Sequence, residues 1–160
     1  MESRSVGEKL GRRIQERSMD SSPLENVGAF IYCTKTRRYL FLLRNSSKYA
    51  GTWGVVGGRV EPNEQIIHSL SREIEEELGG IIRDARIIPI EKFTSDNGNF
   101  TYHTFIAPVD DEFVPELNAE HRGYCWVSLE DHPKPLHPGV WRTINFEAVV
   151  SKIKTLESIL

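Results

Sequence analysis

The chain has 160 residues and a mass of 18.3 kDa, which predicts a single domain. Surface scaling at this mass lets about 70% of the unfolded surface be buried, so a core needs no disulfide or metal staple. It carries 20 Lys+Arg and 23 Asp+Glu, a net charge of −3, which argues against grip on an extended nucleic acid by bulk phosphate neutralisation.

Hydrophobic residues at 39% and charged residues at 27% are ordinary for a globular domain. No apolar run approaches the ~20 residues that span a bilayer. Met1 to Asp20 has no apolar core of the kind a secretory signal needs. A cytoplasmic location and no membrane partner are therefore expected. Cys33 and Cys125 sit in apolar runs without a CxxC spacing, so two reduced, buried thiols and no zinc site are expected.

Residues 1–22 read as a charged N-terminal arm or short helix, with Val6, Leu10, Ile14 and Met19 near helical spacing. Residues 23–160 read as one domain. Val27 to Thr34 and Tyr39 to Leu43 are apolar runs of strand length, joined as a hairpin through residues 35–38. Asn45 to Gly58 is turn-rich. A helix pattern then runs to about Leu78, with Asn63 as the expected N-cap and Gly79-Gly80 as the stop. Ile81 to Ile90 and Tyr102 to Val109 read as strands around an Asp96–Asn99 turn. Gly123 to Val127 is a short strand. Asp131 to Gly139, with three prolines, is a loop, and Trp141 to Leu160 a closing helix. Strands interspersed with helices predict a mixed α/β layer fold.

The informative segment is Gly58 to Gly80, GRVEPNEQIIHSLSREIEEELGG. Place Glu73 at zero on a helix of about 100° per residue; Glu76 then falls near 300° and Glu77 near 40°. Ile67, Leu70, Ile74 and Leu78 make an apolar stripe beside that acidic arc. A charged helix face is ordinarily solvated. Here the acids border the core, where like charges repel more strongly, so a cation is called for. Oxygen ligands alone point to Mg²⁺ or Mn²⁺, ions that usually bridge to substrate phosphates. Glu75 lies off the arc, and Arg72 borders Glu76.

This segment resembles the Nudix box of the Nudix (MutT-like) hydrolases. Gly58, Glu64, Arg72, Glu73, Ile74, Glu76, Glu77 and Gly79 all stand at the required spacing. One position departs: Gly80 stands where the family prefers an apolar residue. The resemblance implies the family's α/β/α sandwich with a mixed sheet, and hydrolysis of a diphosphate bond in a nucleoside diphosphate linked to another group. It implies Glu73, Glu76, Glu77 and the Gly57 carbonyl as ligands of Mg²⁺, or Mn²⁺. Arg72 would hold the glutamates in place. Glu64 would support the loop or touch metal through water. A homodimer is a family-level expectation.

A carboxylate must take a proton from the attacking water. Glu73 is one candidate. Glu120, just before a strand, is the other. Arg44, Arg59, Tyr102 and His121 are candidate substrate contacts, through phosphate pairing, base stacking or a sugar. Tyr49, Trp53, Phe93 and Phe100 are further rings, and His103 and His137 further imidazoles. Subgroup markers after the box do not fit, since Pro89 comes too early and Tyr102 too late. The favoured substrate is a nucleotide sugar or related dinucleotide. The alternatives are a nucleoside triphosphate pyrophosphohydrolase, a non-catalytic nucleotide-binding module and a related isomerase.

Overall fold

A computed structural model describes residues 23–46, 48–80, 82 and 86–160. The arm expected over residues 1–22, and Ile81 at the start of an expected strand, lie outside them. Seven strands build one mixed sheet: β1 (Leu24–Cys33), β2 (Arg38–Arg44), β3 (Trp53–Gly54), β4 (Val56–Arg59), β5 (Ile88–Thr94), β6 (Phe100–Val109) and β7 (His121–Val127). Among the described residues three helices accompany it: α1 (Ile66–Leu78), α2 (Pro138–Ile144) and α3 (Glu147–Ile159).

The sheet path is β3-β2-β1-β6-β5, with β4 added on β1 and β7 on β2. Strand β1 pairs in parallel with β6 along its whole length, while the other pairings are antiparallel. On its other side β1 is shared. Tyr32 and Cys33 pair with β2, and Asn26 to Ala29 pair with β4. Strand β2 therefore diverges from β1, and β4 fills the gap. This is what brings Gly57-Gly58 beside the centre of the sheet.

Both faces of β1 are covered, which is why its apolar residues run almost without a break. Val27, Ala29, Ile31 and Cys33 pack with Leu70, Ile74 and Leu78 of α1. Phe30 and Tyr32 face the other way, with Val140, Val149 and Ile153 from α2 and α3. The α/β/α layering expected from the resemblance is the one observed. Burial of each large α1 side chain contributes roughly 1.5–3 kcal/mol.

Several boundaries differ from the sequence reading. Asn63 is not the N-cap. It adopts φ 65° in the turn closed by the Glu64 amide donating to the Glu61 carbonyl, and the helix starts after Gln65. Asparagine tolerates that left-handed backbone, so the same residue type suits either role. Gly79 ends α1 at φ 93°, as expected of a glycine stop. The strand expected over 81–90 instead spans Ile88–Thr94, and its partner starts at Phe100, around the expected turn. The closing helix is two helices, interrupted where Phe146 takes extended backbone. Cys33 is buried and Cys125 only half-buried; both are free thiols.

Candidate active site

Gly57 and Gly58 leave β4 bare where α1 crosses it. A Cβ on Gly58 would lie 2.3 Å from the Glu73 carboxylate, and one on Gly57 would lie 2.3 Å from the Val27 carbonyl oxygen. Gly57 lets β4 lie against the β1 backbone, and Gly58 leaves room for the Glu73 carboxylate of α1. The Gly57 amide donates to Glu77 Oε2 at 3.0 Å, tying the helix acid to the strand.

The acidic arc runs from core to solvent. Glu77 and Glu73 are 2% and 7% exposed, whereas Glu76 is exposed. Burial pushes the Glu77 carboxyl up to about 9, and the Gly57 amide opposes it. Burial also raises Glu73, against the pull of Arg72. Two buried carboxylates this close resist ionising together unless a cation joins them. The donor set fits a divalent ion on that ground.

Arg72 organises the acids. Its Nε and Nη2 donate to the two oxygens of Glu64 at 2.9 and 3.0 Å. Nη1 donates to Glu73 Oε1 at 2.9 Å, and Nη2 also reaches the Arg59 carbonyl at 3.0 Å. Glu76 lies 3.4 Å from Nη1. Glu64 Oε1 also accepts the Glu61 amide. Both Glu64 oxygens are thus engaged in holding the loop against Arg72, which brings its carboxyl down to about 2.

Glu120 enters from the other side. Its loop is pinned by Asn45, whose amide donates to the Glu120 carbonyl at 2.8 Å. Asn118 takes the Glu120 amide on Oδ1 and donates from Nδ2 to the Glu76 carbonyl. Ligand atoms of Glu77, Glu120 and His121 lie within 4.8 Å of one another. His121 is buried with them, its Nδ1 3.5 Å from Glu77 Oε1. His121 is thus buried among the carboxylates. Burial, with Arg44 adding to it, lowers His121 to about 4 and keeps the ring neutral.

The other candidates surround this centre. Arg44 donates to the Lys48 carbonyl and approaches Ser46 Oγ, and its charge acts on His121, Tyr102 and His137. Arg59 is exposed at the end of β4. Tyr102 reaches across Gly28, where a Cβ would lie 2.2 Å from its hydroxyl. Trp53 of β3 packs, with Val55 and Leu136, against the core that also holds Val140 and Ile153, and Phe93 carries the Arg142 guanidinium at 4.1 Å. His103 is bound to Glu25 at 2.8 Å, away from the acids. Sequence reasoning missed Asn45, whose side chain also donates to the Ala119 carbonyl across 74 residues, and Asn118, which reaches Glu76 across 42. It also missed that His137 meets Tyr49 edge-on at 4.8 Å.

A model of the NUDIX domain matches residues 23–145. The chain belongs to the Nudix family. As a Nudix hydrolase it acts on phosphoanhydride bonds. Among curated relatives it is similar to the nucleoside triphosphatase NudI of Escherichia coli, 28% identical over 129 residues, which is 74% of this chain and 86% of NudI. Among solved structures it is similar to a MutT Nudix hydrolase from Burkholderia pseudomallei, with a TM-score of 0.64 and 27% identity over 81% of this chain and 97% of that one. The Nudix domain of Shewanella oneidensis NrtR, solved with ADP ribose, shares the fold at a TM-score of 0.68 and 16% identity, over 85% of this chain and 92% of that one. No helix among the described residues is long and apolar enough to cross a membrane.

Proposed function

We propose that this chain is a Mg²⁺- or Mn²⁺-dependent pyrophosphohydrolase of a small nucleotide, with a nucleoside triphosphate as its substrate. The convergence of Glu73, Glu77 and Glu120 beside Gly57-Gly58 carries this reading. Glu76, Glu77 and Glu120, with the Gly57 carbonyl, would hold the ion. When bound, a divalent ion neutralises phosphate charge and makes a coordinated water more acidic.

The remaining work falls to the side chains. Glu73 takes the proton of the attacking water. Burial strengthens it as a base, and Arg72 fixes its Oε1, which keeps the second oxygen in one place. Arg44 and Arg59 pair with phosphate oxygens outside the carboxylate cluster. Tyr102 offers a ring to the base or sugar.

Two observations favour a triphosphate over the nucleotide sugar expected from sequence. Residues 44–59 carry Arg44, Lys48 and Arg59 and no acid, in a chain with an acidic excess. A triphosphate brings more charge to such a rim than a sugar-linked diphosphate does. The name of the Escherichia coli relative supports the same substrate.

The test is a metal-supplemented panel of (d)NTPs, nucleotide sugars, ADP-ribose and dinucleoside polyphosphates, read as release of pyrophosphate with a nucleoside monophosphate from a (d)NTP, and of a nucleotide with its phosphorylated counterpart from the others. Glu76→Gln and Glu77→Gln should lower kcat by about 100-fold or more while the circular dichroism spectrum is kept. A fully active Glu77→Gln enzyme overturns the site. No turnover on any substrate supports a binding module instead.

A further inference from the structure

His121 opens β7 opposite Arg44, where the pairing of β2 with β7 slips by one residue. Bulges of this kind re-aim a side chain, and here the imidazole turns inward. Its side chain is 3% exposed. Its Nδ1 is buried without a hydrogen-bond partner among the described residues. The nearest acid oxygen, Glu77 Oε1, lies at 3.5 Å, beyond ordinary N–H···O range. Leaving such a nitrogen unsatisfied costs about 1–3 kcal/mol, and a bound group would remove that cost.

The surroundings specify the group. One oxygen each from Glu77 and Glu120 lies within 4.8 Å of His121 nitrogen and of the other. Ligands on opposite sides of one small divalent ion stand about 4.2 Å apart, so a shift of under about 1 Å brings all three into reach. A neutral imidazole presents a lone pair, whereas a protonated one would repel the ion.

We propose that His121 Nδ1 is a nitrogen ligand of the divalent ion held by Glu77 and Glu120. The site is then a mixed oxygen–nitrogen site rather than the all-oxygen site that the box acids alone describe. Nitrogen donors favour Mn²⁺ and later transition ions over Mg²⁺. His121 thereby sets the metal preference of this enzyme. The inference rests on the proposed metal-dependent hydrolase reading.

The experiment loads the full chain with Mn²⁺ and records electron spin echo envelope modulation. The expected result is the modulation of a directly bound imidazole nitrogen, absent in His121→Ala and in His121→Asn. Two variants are used so that one folded protein remains, as judged by circular dichroism. Equilibrium dialysis should show Mn²⁺ affinity falling about 10-fold in either variant and Mg²⁺ affinity about 2-fold, so that the preference for Mn²⁺ shrinks. Mn²⁺ bound without nitrogen coupling, together with hydrolysis in the panel above, overturns the ligand assignment alone. Unchanged metal preference in both variants overturns it too. Failure of the wild-type chain to bind Mn²⁺ or Mg²⁺ overturns both this assignment and the hydrolase reading.

Discussion

Arg72 and Glu64 form a two-point ion pair, Nε to Oε2 at 2.9 Å and Nη2 to Oε1 at 3.0 Å, and the same guanidinium holds Glu73. The planar fork matters as much as the charge, because a lysine ammonium cannot meet both oxygens of Glu64 and reach Glu73. Arg72→Ala should lower stability by roughly 1–3 kcal/mol in urea unfolding and kcat by about 10-fold or more. Arg72→Lys should recover less than half of either loss. A lysine variant equal to wild type would show that charge alone suffices.

The same pair sets a pH dependence. Glu64 titrates near 2 in the folded protein, below the 4.5 of an unperturbed glutamate. The unfolded state therefore binds more protons between those values. The pair's contribution is complete above about 4.5 and is lost as pH falls toward 2. Wild type should exceed Glu64→Gln in urea midpoint at pH 7, and the gap should narrow from pH 5 to pH 3. A gap independent of pH would rule out the ion pair as its source.

The two glycines of β4 should fail differently. Gly57→Ala drives a methyl into the Val27 backbone, which cannot move aside. Its cost should appear as stability, about 1–3 kcal/mol or more. Gly58→Ala meets only the end of the Glu73 side chain. That carboxylate can swing away, so the loss should appear mainly in kcat, on the order of 100-fold, with a smaller change in melting temperature. Thermal melts and turnover on both variants check the contrast.

A cation should stabilise the fold by joining Glu76, Glu77 and Glu120 and relieving their repulsion with Glu73. At a concentration about 100 times its Kd, an ion binding only the native state adds about 2.7 kcal/mol. For a chain of this size that is a rise in Tm of roughly 5–10 °C. Calorimetry with Mg²⁺ and then with chelator should show the rise and its reversal. The rise should shrink in Glu77→Gln.

Local signals carried the helix and the acids. The stripe of Leu70, Ile74 and Leu78, the glycine stop and the arc of Glu73, Glu76 and Glu77 are set by spacing within one helix, which a sequence displays directly. The partners of that helix were less legible. That Glu120 approaches Glu77 depends on Asn45 and Asn118, which act across loops that no period marks. His121 was visible as a candidate but not its burial, because burial follows from the slipped pairing between β2 and β7. The break at Phe146 was hidden because apolar spacing continues through it from Ile144 to Val149.

The long parallel pairing of β1 with β6 joins segments more than seventy residues apart. Such non-local pairings form late, since a large loop must close first. On the ribosome, the helix bearing the acids is synthesised well before β6 emerges. Until then β1 has one bare edge and no finished platform for that helix. Assembly of the acidic cluster must therefore wait for residues far beyond it, and a chain stalled before residue 100 should expose a strand edge that invites aggregation.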